Sequence, residues 1–359
     1  MKFDFCIGNP PYQESQDSNN KSDAVYPYFY DAAEDIADRY LMISPGRFLF
    51  NAGLTSKDWN KKMLSDEHLQ VKEYYANGAD VFPNTDIKGG VVIVSRNVNK
   101  VCGPIGEFIP DENLRNLAKH FVKDEQNNLP SIMHGGRSDL KISKKYANEH
   151  PEIYDARLKA IQSRNPKVVK LAPNEECEIK SSAFDVLPFL FEVSEPTDKK
   201  SYYRFLGLSG GKREYRWIKR EMLVPRSKDN NLEFYKLLIP KASGNGRFGE
   251  VLSEPVIAYP GDSSTPTFIS LGMFSSVIEA ENAKKYIRTK LVRALLGILK
   301  ITQDIVPSKW AYVPIQDFTV NSDIDWSVSI HDIDKQLYKK YNLSNEEINF
   351  IETNVKEMK

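Results

Sequence analysis

The sequence predicts an α/β protein in three parts. A layered domain with a mostly parallel sheet covers residues 1–100, a mixed α/β domain covers 101–318, and a short acidic helical tail covers 319–359. Three observations carry this reading. Strand-like apolar runs alternate with helix-period segments over the first part, the pattern of an α/β layer. After Lys100 the segments shorten, prolines and glycines recur, and basic and aromatic residues cluster. Ser322 to Lys359 is acidic, and Ser344-Asn345-Glu346-Glu347 has the form of a helix cap ahead of Ile348 and Ile351.

Phe3 to Gly8 reads as a buried strand running into a Pro-Pro turn. Gln13 to Asp23, rich in Gln, Ser, Asn and Asp, reads as a loop. Val25, Phe29, Ala32, Ala33, Ile36 and Ala37 recur at helical spacing. Tyr40 to Ser44 is a second strand closed by Pro45-Gly46, Leu54 to Leu64 a helix, Leu69 to Tyr75 a strand, and Gly89 to Ser95 the last strand of the layer. Farther on, Ala280 to Lys300 reads as one helix, with Ala283, Ile287, Leu291, Ala294, Leu295 and Ile298 on one face.

The chain has 359 residues, 41% hydrophobic and 27% charged, so a disordered or fibrous protein is excluded and two domains are expected. Lys+Arg and Asp+Glu number 49 each; the balance excludes a uniformly basic nucleic-acid coat but not a local basic face. Cys6, Cys102 and Cys177 form no C-x-x-C pair, and the five histidines show no metal spacing, so no metal site is expected. The apolar start is short, contains Asp4 and ends in a turn, unlike a signal peptide. Nothing approaches the apolar length of a membrane span, and a cytoplasmic location is expected.

Asn9-Pro10-Pro11-Tyr12 is the sharpest feature. It follows an apolar strand, and α/β sheets place their ligand crevice at the carboxyl ends of strands. The Asn9 side-chain oxygen and the Pro10 carbonyl are both acceptors. Two prolines stiffen the turn and remove donors. Tyr12 offers a flat face to a base. An exocyclic purine amine is a poor nucleophile because its lone pair is delocalised into the ring. Two acceptors gripping its N–H bonds favour a pyramidal nitrogen, so positioning and local dipoles supply most of the rate. The plain alternative is a Pro-Pro turn with an incidental Asn before it.

Phe3-Asp4-Phe5-Cys6-Ile7-Gly8-Asn9-Pro10-Pro11-Tyr12 resembles the catalytic motif of adenine-N6-specific DNA methyltransferases, and more narrowly the gamma-type enzymes of type IIG-like restriction–modification systems. Tyr40 to Phe48 is similar to that family's next core strand. Asp80-Val81-Phe82-Pro83 with Ile87 to Val94 is similar to the motif that supplies a second aromatic to the flipped base. Glu279 to Lys300, with Tyr312-Val313-Pro314, resembles the end of the target-recognition region. The resemblance implies a partial Rossmann-like methyltransferase sheet followed by a target-recognition domain. It implies S-adenosylmethionine as cofactor, double-stranded DNA as partner, and a catalytic set of Asn9, Pro10, Pro11, Tyr12 and Phe82, with Tyr12 and Phe82 sandwiching an extruded adenine. Extrusion costs stacking, and two aromatic faces return about 1–3 kcal/mol per stacked base. Taken alone, Phe82 is equally a core aromatic before a proline turn.

The cofactor pocket expected from that resemblance is largely missing. It needs a glycine-rich strand-to-helix turn ahead of the catalytic strand, where only eight residues stand. Ser209-Gly210-Gly211-Lys212 and Ser243-Gly244-Asn245-Gly246-Arg247 do not follow a convincing strand and open a helix. Without a neighbour, Phe3 to Gly8 is expected to present an unpaired apolar edge. The chain is therefore expected to be the C-terminal part of a split or truncated enzyme, with a separate chain carrying the cofactor half as partner. Alone, it should bind S-adenosylmethionine weakly or not at all. Glu178-Ile179-Lys180 echoes a nuclease Glu-x-Lys without a well-placed Asp and is assigned to the surface.

Residues 202–228 hold eight cations against two acids, a net charge of +6, interleaved with Tyr202, Tyr203, Tyr215 and Trp217. Basic plus aromatic in one stretch suits phosphate and base contacts. The expected DNA-binding residues are Lys212, Arg213, Arg216, Lys219 and Arg220 here, Lys241 and Arg247 beside a glycine-rich loop, and Lys284 and Arg288 on the later helix. The first alternative function is an inert DNA-recognition remnant or specificity module without a cofactor site. The second is a protein-glutamine or RNA-guanine methyltransferase, which the long basic and aromatic C-terminal region argues against.

Overall fold

The computed structural model describes residues 3–13, 24–51, 55–85, 87, 89–244, 247–300 and 302–358. The chain divides into two compact units, Met1–Asp111 and Glu112–Lys359. Most of the expected Gln13–Asp23 loop lies outside the described residues.

The first unit runs β1 (Cys6–Gly8), α1 (Tyr26–Ile36), β2 (Arg39–Pro45), α2 (Lys57–Ser65), β3 (Leu69–Tyr75) and β4 (Val91–Asn97). Its sheet has the order β1-β2-β4-β3. β1 is parallel to β2, with Cys6 beside Tyr40 and Gly8 beside Met42. The sheet is otherwise antiparallel, not mostly parallel as strand–helix alternation predicts, because β4 pairs antiparallel with both β2 and β3. The reason is the β3–β4 link: among its described residues it holds only a 3₁₀ turn at Gly78–Asp80, and a parallel return needs a full crossover. The β2–α2–β3 crossover leaves a gap of one strand, which β4 fills.

α1 buries Tyr26, Tyr30 and Ala33 rather than Phe29 and Ile36, which are exposed. The helix is thus rotated by about one residue from the face that apolar spacing marks. The tyrosine rings fill more volume, and the Tyr30 hydroxyl, fully buried, bonds the Ser44 hydroxyl at 2.9 Å. Tyr26, Tyr30, Tyr40, Phe48 and Trp59 form an edge-to-face cluster with centroids as close as 5.3 Å.

β1 is not the buried strand that its apolar residues suggest. Among the described residues it pairs with β2 alone, and Phe3, Phe5 and Ile7 are 57%, 47% and 73% exposed. Gly8 lets β1 approach β2 closely, since a Cβ there would meet the Met42 sulfur at 2.6 Å.

The second unit contains α3 (Glu112–Ala118), β5 (Met133–His134), β6 (Leu140–Ile142), α4 (Lys144–Glu149), α5 (Pro151–Gln162), α6 (Ala183–Val186), β7 (Tyr202–Ser209), β8 (Lys212–Lys219), β9 (Leu223–Pro225), β10 (Tyr235–Pro240), β11 (Val256–Ala258), β12 (Asp262–Ser264), β13 (Phe268–Phe274), α7 (Val277–Arg288), α8 (Lys290–Leu299), α9 (Ile330–Lys340) and α10 (Asn345–Asn354). Its sheets have the orders β11-β10-β13-β5, β12-β7-β8 and β6-β9. Ser209-Gly210-Gly211-Lys212 is the tip of the β7–β8 hairpin, with φ of +54° and +79° at the two glycines. One core gathers Leu140, Ile142, Ile153, Phe184, Phe205 and Ile218.

The single helix expected over 280–300 is two. Thr289 adopts an extended conformation, and its hydroxyl caps α8 by accepting from the Val292 N–H. The Asp334 carboxylate accepts from the next two free amides, those of Lys290 and Leu291, at 2.9 Å each. Ser344 and Glu347 form a reciprocal capping box on α10. No described helix is long and apolar enough to cross a membrane.

Candidate active site in the first unit

The strand directions bring three segments to one edge of the first sheet. β1 and β2 end there together, and β3, antiparallel to β4, ends there as well. The Asn9 turn, Pro45-Gly46 and the turn carrying Phe82 therefore leave the sheet on the same side. The Gly46 N–H donates to the Gly90 carbonyl at 2.9 Å and ties two of these exits together.

Asn9 is exposed, and its carboxamide makes no hydrogen bond to any described residue. Pro10 is buried and Pro11 exposed, so the turn is anchored by one ring. Tyr12 is half-buried. Its carbonyl accepts from Val25 N–H at 3.2 Å, and Gln13 bridges to Ala24, which fixes the turn against the start of α1. The Tyr12 hydroxyl points inward, buried and without a partner among the described residues; burial pushes its pKa up.

Phe82 is half-buried on a rigid turn. Its N–H donates to Gly78 O at 2.9 Å, and its carbonyl accepts from the Thr85 hydroxyl at 2.7 Å. Asn77 caps this turn through Ala79 N–H and donates to Asp80. The Tyr12 and Phe82 rings lie 6.3 Å apart, inclined at 68°. They are neighbours, but edge to face. A base between two parallel rings needs roughly 7–8 Å between their planes, so one ring must turn to admit it.

The residues described do not fit S-adenosylmethionine. No described strand of the first unit opens through a glycine-rich turn into a helix, and the Gly210-Gly211 pair makes a β-hairpin in the second unit.

The basic stretch of the second unit is not one face. Strand alternation puts Lys212 and Arg216 on one side of β8 and Arg213 and Lys219 on the other. Arg216 is spent internally: it bonds Glu214 at 2.6 Å, Phe184 O at 2.8 Å and Ser209 at 3.0 Å. Arg220 donates to Tyr202 O at 3.1 Å and lies 4.2 Å from the Tyr203 ring centre. Arg213 is exposed but donates to Glu254 O at 3.2 Å. Lys284 and Arg288 share the Glu254 carboxylate at 2.8 and 3.7 Å. Lys219 is exposed, 3.9 Å from Glu221, and Arg247 is exposed. Lys212, at the hairpin tip, has no ion pair among the described residues. Lys241 borders a cavity of about 630 Å³ with Arg137, Lys141 and Arg226. Glu178, of the nuclease-like Glu-x-Lys, is held by Arg226 at 2.7 Å.

Sequence reasoning passed over Arg157, a buried guanidinium in the second unit. No motif or spacing in the sequence marks it, since Arg164, seven residues on, lies beyond the end of α5.

Residues 1–82 match the model of a family described as Eco57I restriction-modification methylase. Over 95 residues the chain is 34% identical to a protein of Mycoplasma pneumoniae described as an uncharacterized adenine-specific methylase. That alignment covers 25% of this chain and 22% of the relative, so the chain matches less than a quarter of that relative's length. Among solved structures, the type IIL restriction-modification enzyme MmeI in complex with DNA is similar over 98% of this chain and 56% of that chain. The identity is 10% and the TM-score 0.37, too low to carry an argument.

Proposed function

We propose that this chain carries the adenine-holding and DNA-recognition parts of an adenine-N6 DNA methyltransferase of a restriction–modification system. The observation that carries the reading is the Asn9 carboxamide: exposed, without a hydrogen bond among the described residues, and set on a proline-locked turn beside Tyr12 and Phe82. A polar side chain on a stiff turn, with no partner among the described residues, is available to a ligand. The family match over residues 1–82 supports the reaction class.

In this reading an adenine leaves the duplex and enters between Tyr12 and Phe82. The Tyr12 backbone is tied to Val25 and its hydroxyl is buried, so Phe82 is the ring that turns. The Asn9 Oδ1 and the Pro10 carbonyl then accept the two N–H bonds of the amino group and orient its lone pair. S-adenosylmethionine is bound by a cofactor half that the described residues do not supply. The open edge of β1, with Phe3, Phe5 and Ile7, is where that half docks, whether on a separate chain or in the same polypeptide. Unpaired strand edges with apolar faces pair readily. Double-stranded DNA lies on the second unit, and Lys212, Lys219 and Lys241 are its best phosphate contacts, being exposed or facing a cavity.

The misfit to the cofactor favours a second reading, an inert DNA-recognition module. One experiment separates them. The protein, supplied with its cofactor half, is assayed for transfer of labelled methyl to adenine-containing duplex. Transfer supports the first reading, whereas DNA binding with no transfer supports the second.

A further inference from the structure

The 630 Å³ cavity of the second unit is lined by six cations, Arg137, Lys141, Lys144, Lys180, Arg226 and Lys241, and by two acids, Glu175 and Glu178. Its volume is that of an ordinary ligand pocket, about 300–1,000 Å³. Both acids are already engaged. Glu175 pairs with Lys180 at 3.0 Å, and the Arg226 fork grips Glu178 at 2.7 and 3.1 Å. Lys144 pairs with Glu176. Arg137, Lys141 and Lys241 have no ion pair among the described residues, so three positive charges are left over on one concave wall. All three are accessible: Arg137 is exposed, and Lys141 and Lys241 are half-buried.

The fold aims Lys141 at this wall. β6 and β9 pair antiparallel, with Lys141 opposite Val224. Its neighbours Leu140 and Ile142 belong to the core, so strand alternation turns Lys141 to the other face. The ladder continues past β9, where the Arg226 N–H donates to Asp139 O at 2.8 Å, and this puts Arg226 on the Lys141 face. Arg226 also donates to Ser138 O at 3.0 Å, so it is a strut that fastens Glu178 over that face. The other charged ends gather at the same place. Burial works to raise the Glu178 carboxyl, but Arg226, Arg137 and Lys180 together hold its pKa down. At Cys177, burial and Glu176 push the thiol up, while Lys144 and Lys141 pull the other way. Glu178 and Cys177 both line the cavity. Lys241 follows β10, and its backbone is pinned by Thr267 O at 2.8 Å and Ile305 N–H at 2.9 Å.

Like charges on a concave, low-dielectric wall repel one another and focus a positive field. A ligand carrying several negative charges in a row relieves that repulsion. No aromatic side chain lines the cavity among the described residues, so nothing there stacks a base, and recognition falls on the anionic groups. Arginine and lysine are the usual partners of phosphate oxygens. We propose that this cavity binds a run of linked phosphates, with Arg137, Lys141 and Lys241 as its contacts. A nucleoside triphosphate and the backbone of a DNA strand share that chemistry. The site lies wholly in the second unit and does not depend on the Asn9 reading.

The test is calorimetric titration of the whole protein at constant ionic strength with tripolyphosphate and with citrate. Saturable binding of tripolyphosphate, with citrate weaker, is the expected result. Arg137→Ala and Lys141→Ala should each weaken it at least about threefold, and together at least about tenfold. Neither side chain has an ion pair to lose, so both variants should melt with the wild type. Should Lys141→Ala misfold, Lys141→Gln keeps much of the stem and must also weaken binding. Lys145→Ala is the charge-matched control, since Lys145 is exposed on α4 and does not line the cavity. It should change affinity little. Adenosine 5′-triphosphate and a short DNA duplex with 5′-hydroxyl ends then compete against tripolyphosphate. Displacement by the nucleotide alone assigns a small molecule, displacement by the duplex assigns a DNA strand, and either supports the site. Asn9→Ala should leave tripolyphosphate binding unchanged, so failure of the methyltransfer reading shows up separately. The proposal is overturned by any of three results: no saturable binding of tripolyphosphate by the wild type, undiminished affinity in the double variant, or a loss in Lys145→Ala as large as in the cavity variants.

Discussion

The Asn9 turn and the β7–β8 hairpin are both polar, aromatic-rich segments attached to strands, and folding treats them in opposite ways. In the hairpin, Arg216 makes three bonds within the chain and Arg204 grips Asp262. In the turn, Asn9 bonds nothing described, and Tyr12 and Phe82 meet only edge to face. Residue type alone marks both segments as interaction surfaces. What separates them is which polar groups the fold leaves without a partner, because a side chain already paired must break its own bonds before it can bind another molecule.

The contrast is sharpest in the effects of removing each group. Asn9→Ala should lower methyl transfer by the reconstituted protein about a hundred- to a thousandfold. DNA affinity and melting temperature should stay unchanged; parallel loss of transfer and affinity breaks the assignment. Arg216→Met should do the reverse, costing about 2–3 kcal/mol of stability in denaturant titration with no specific effect on transfer.

Lys236 gives a pH-dependent version of the same contrast. It is fully buried, donates to Asn231 O at 2.7 Å, and burial pushes its pKa down from 10.5 to about 8. Below pH 8 both folded and unfolded chains hold the proton. Above it the folded chain releases the proton while the unfolded chain keeps it, so stability rises with pH. The rise should be about 1–2 kcal/mol between pH 8 and 10 relative to Lys236→Met. Above pH 10, buried tyrosines such as Tyr215 act the other way, because only the unfolded chain ionises them readily. No difference in slope between the two proteins would show that the ammonium is not destabilised.

How much of this was legible in the sequence follows from what each pattern encodes. β3 was readable to the residue, and β2 nearly so, since turn residues bound both. The face of α1 was misjudged because apolar spacing does not credit a tyrosine whose hydroxyl finds Ser44. The break at Thr289 hides inside an unbroken apolar period and depends on one side-chain cap. Strand order alone could not reveal that β4 inserts between β2 and β3. The +6 stretch looked like one surface only because alternation along β8 had not been applied to it. Asn9, Tyr12 and Phe82 carry a local motif and could be named in advance. Arg157 could not be singled out, because what distinguishes it is the absence of a partner, and that exists only in three dimensions.

Smaller effects refine the comparison. Ile7→Lys on the open edge of β1 should change stability little, within about 0.5 kcal/mol. It should reduce self-association by light scattering and block docking of the cofactor half; unchanged docking would place that interface elsewhere. Lys212→Ala should lower the slope of log affinity against log salt by about one phosphate contact. Lys284→Ala, with its ammonium on Glu254, should barely move it. Equal changes in both would mean that internal pairing does not decide which cations meet DNA.

The account rests most directly on where the Asn9 oxygen goes when an adenine is present. A structure of the reconstituted protein on adenine-containing duplex measures it. The expected result is an extruded adenine between Tyr12 and Phe82, with its amino nitrogen about 3 Å from Asn9 Oδ1 and from the Pro10 carbonyl. An adenine still stacked in the duplex, or an Asn9 side chain turned to solvent or phosphate, would contradict it.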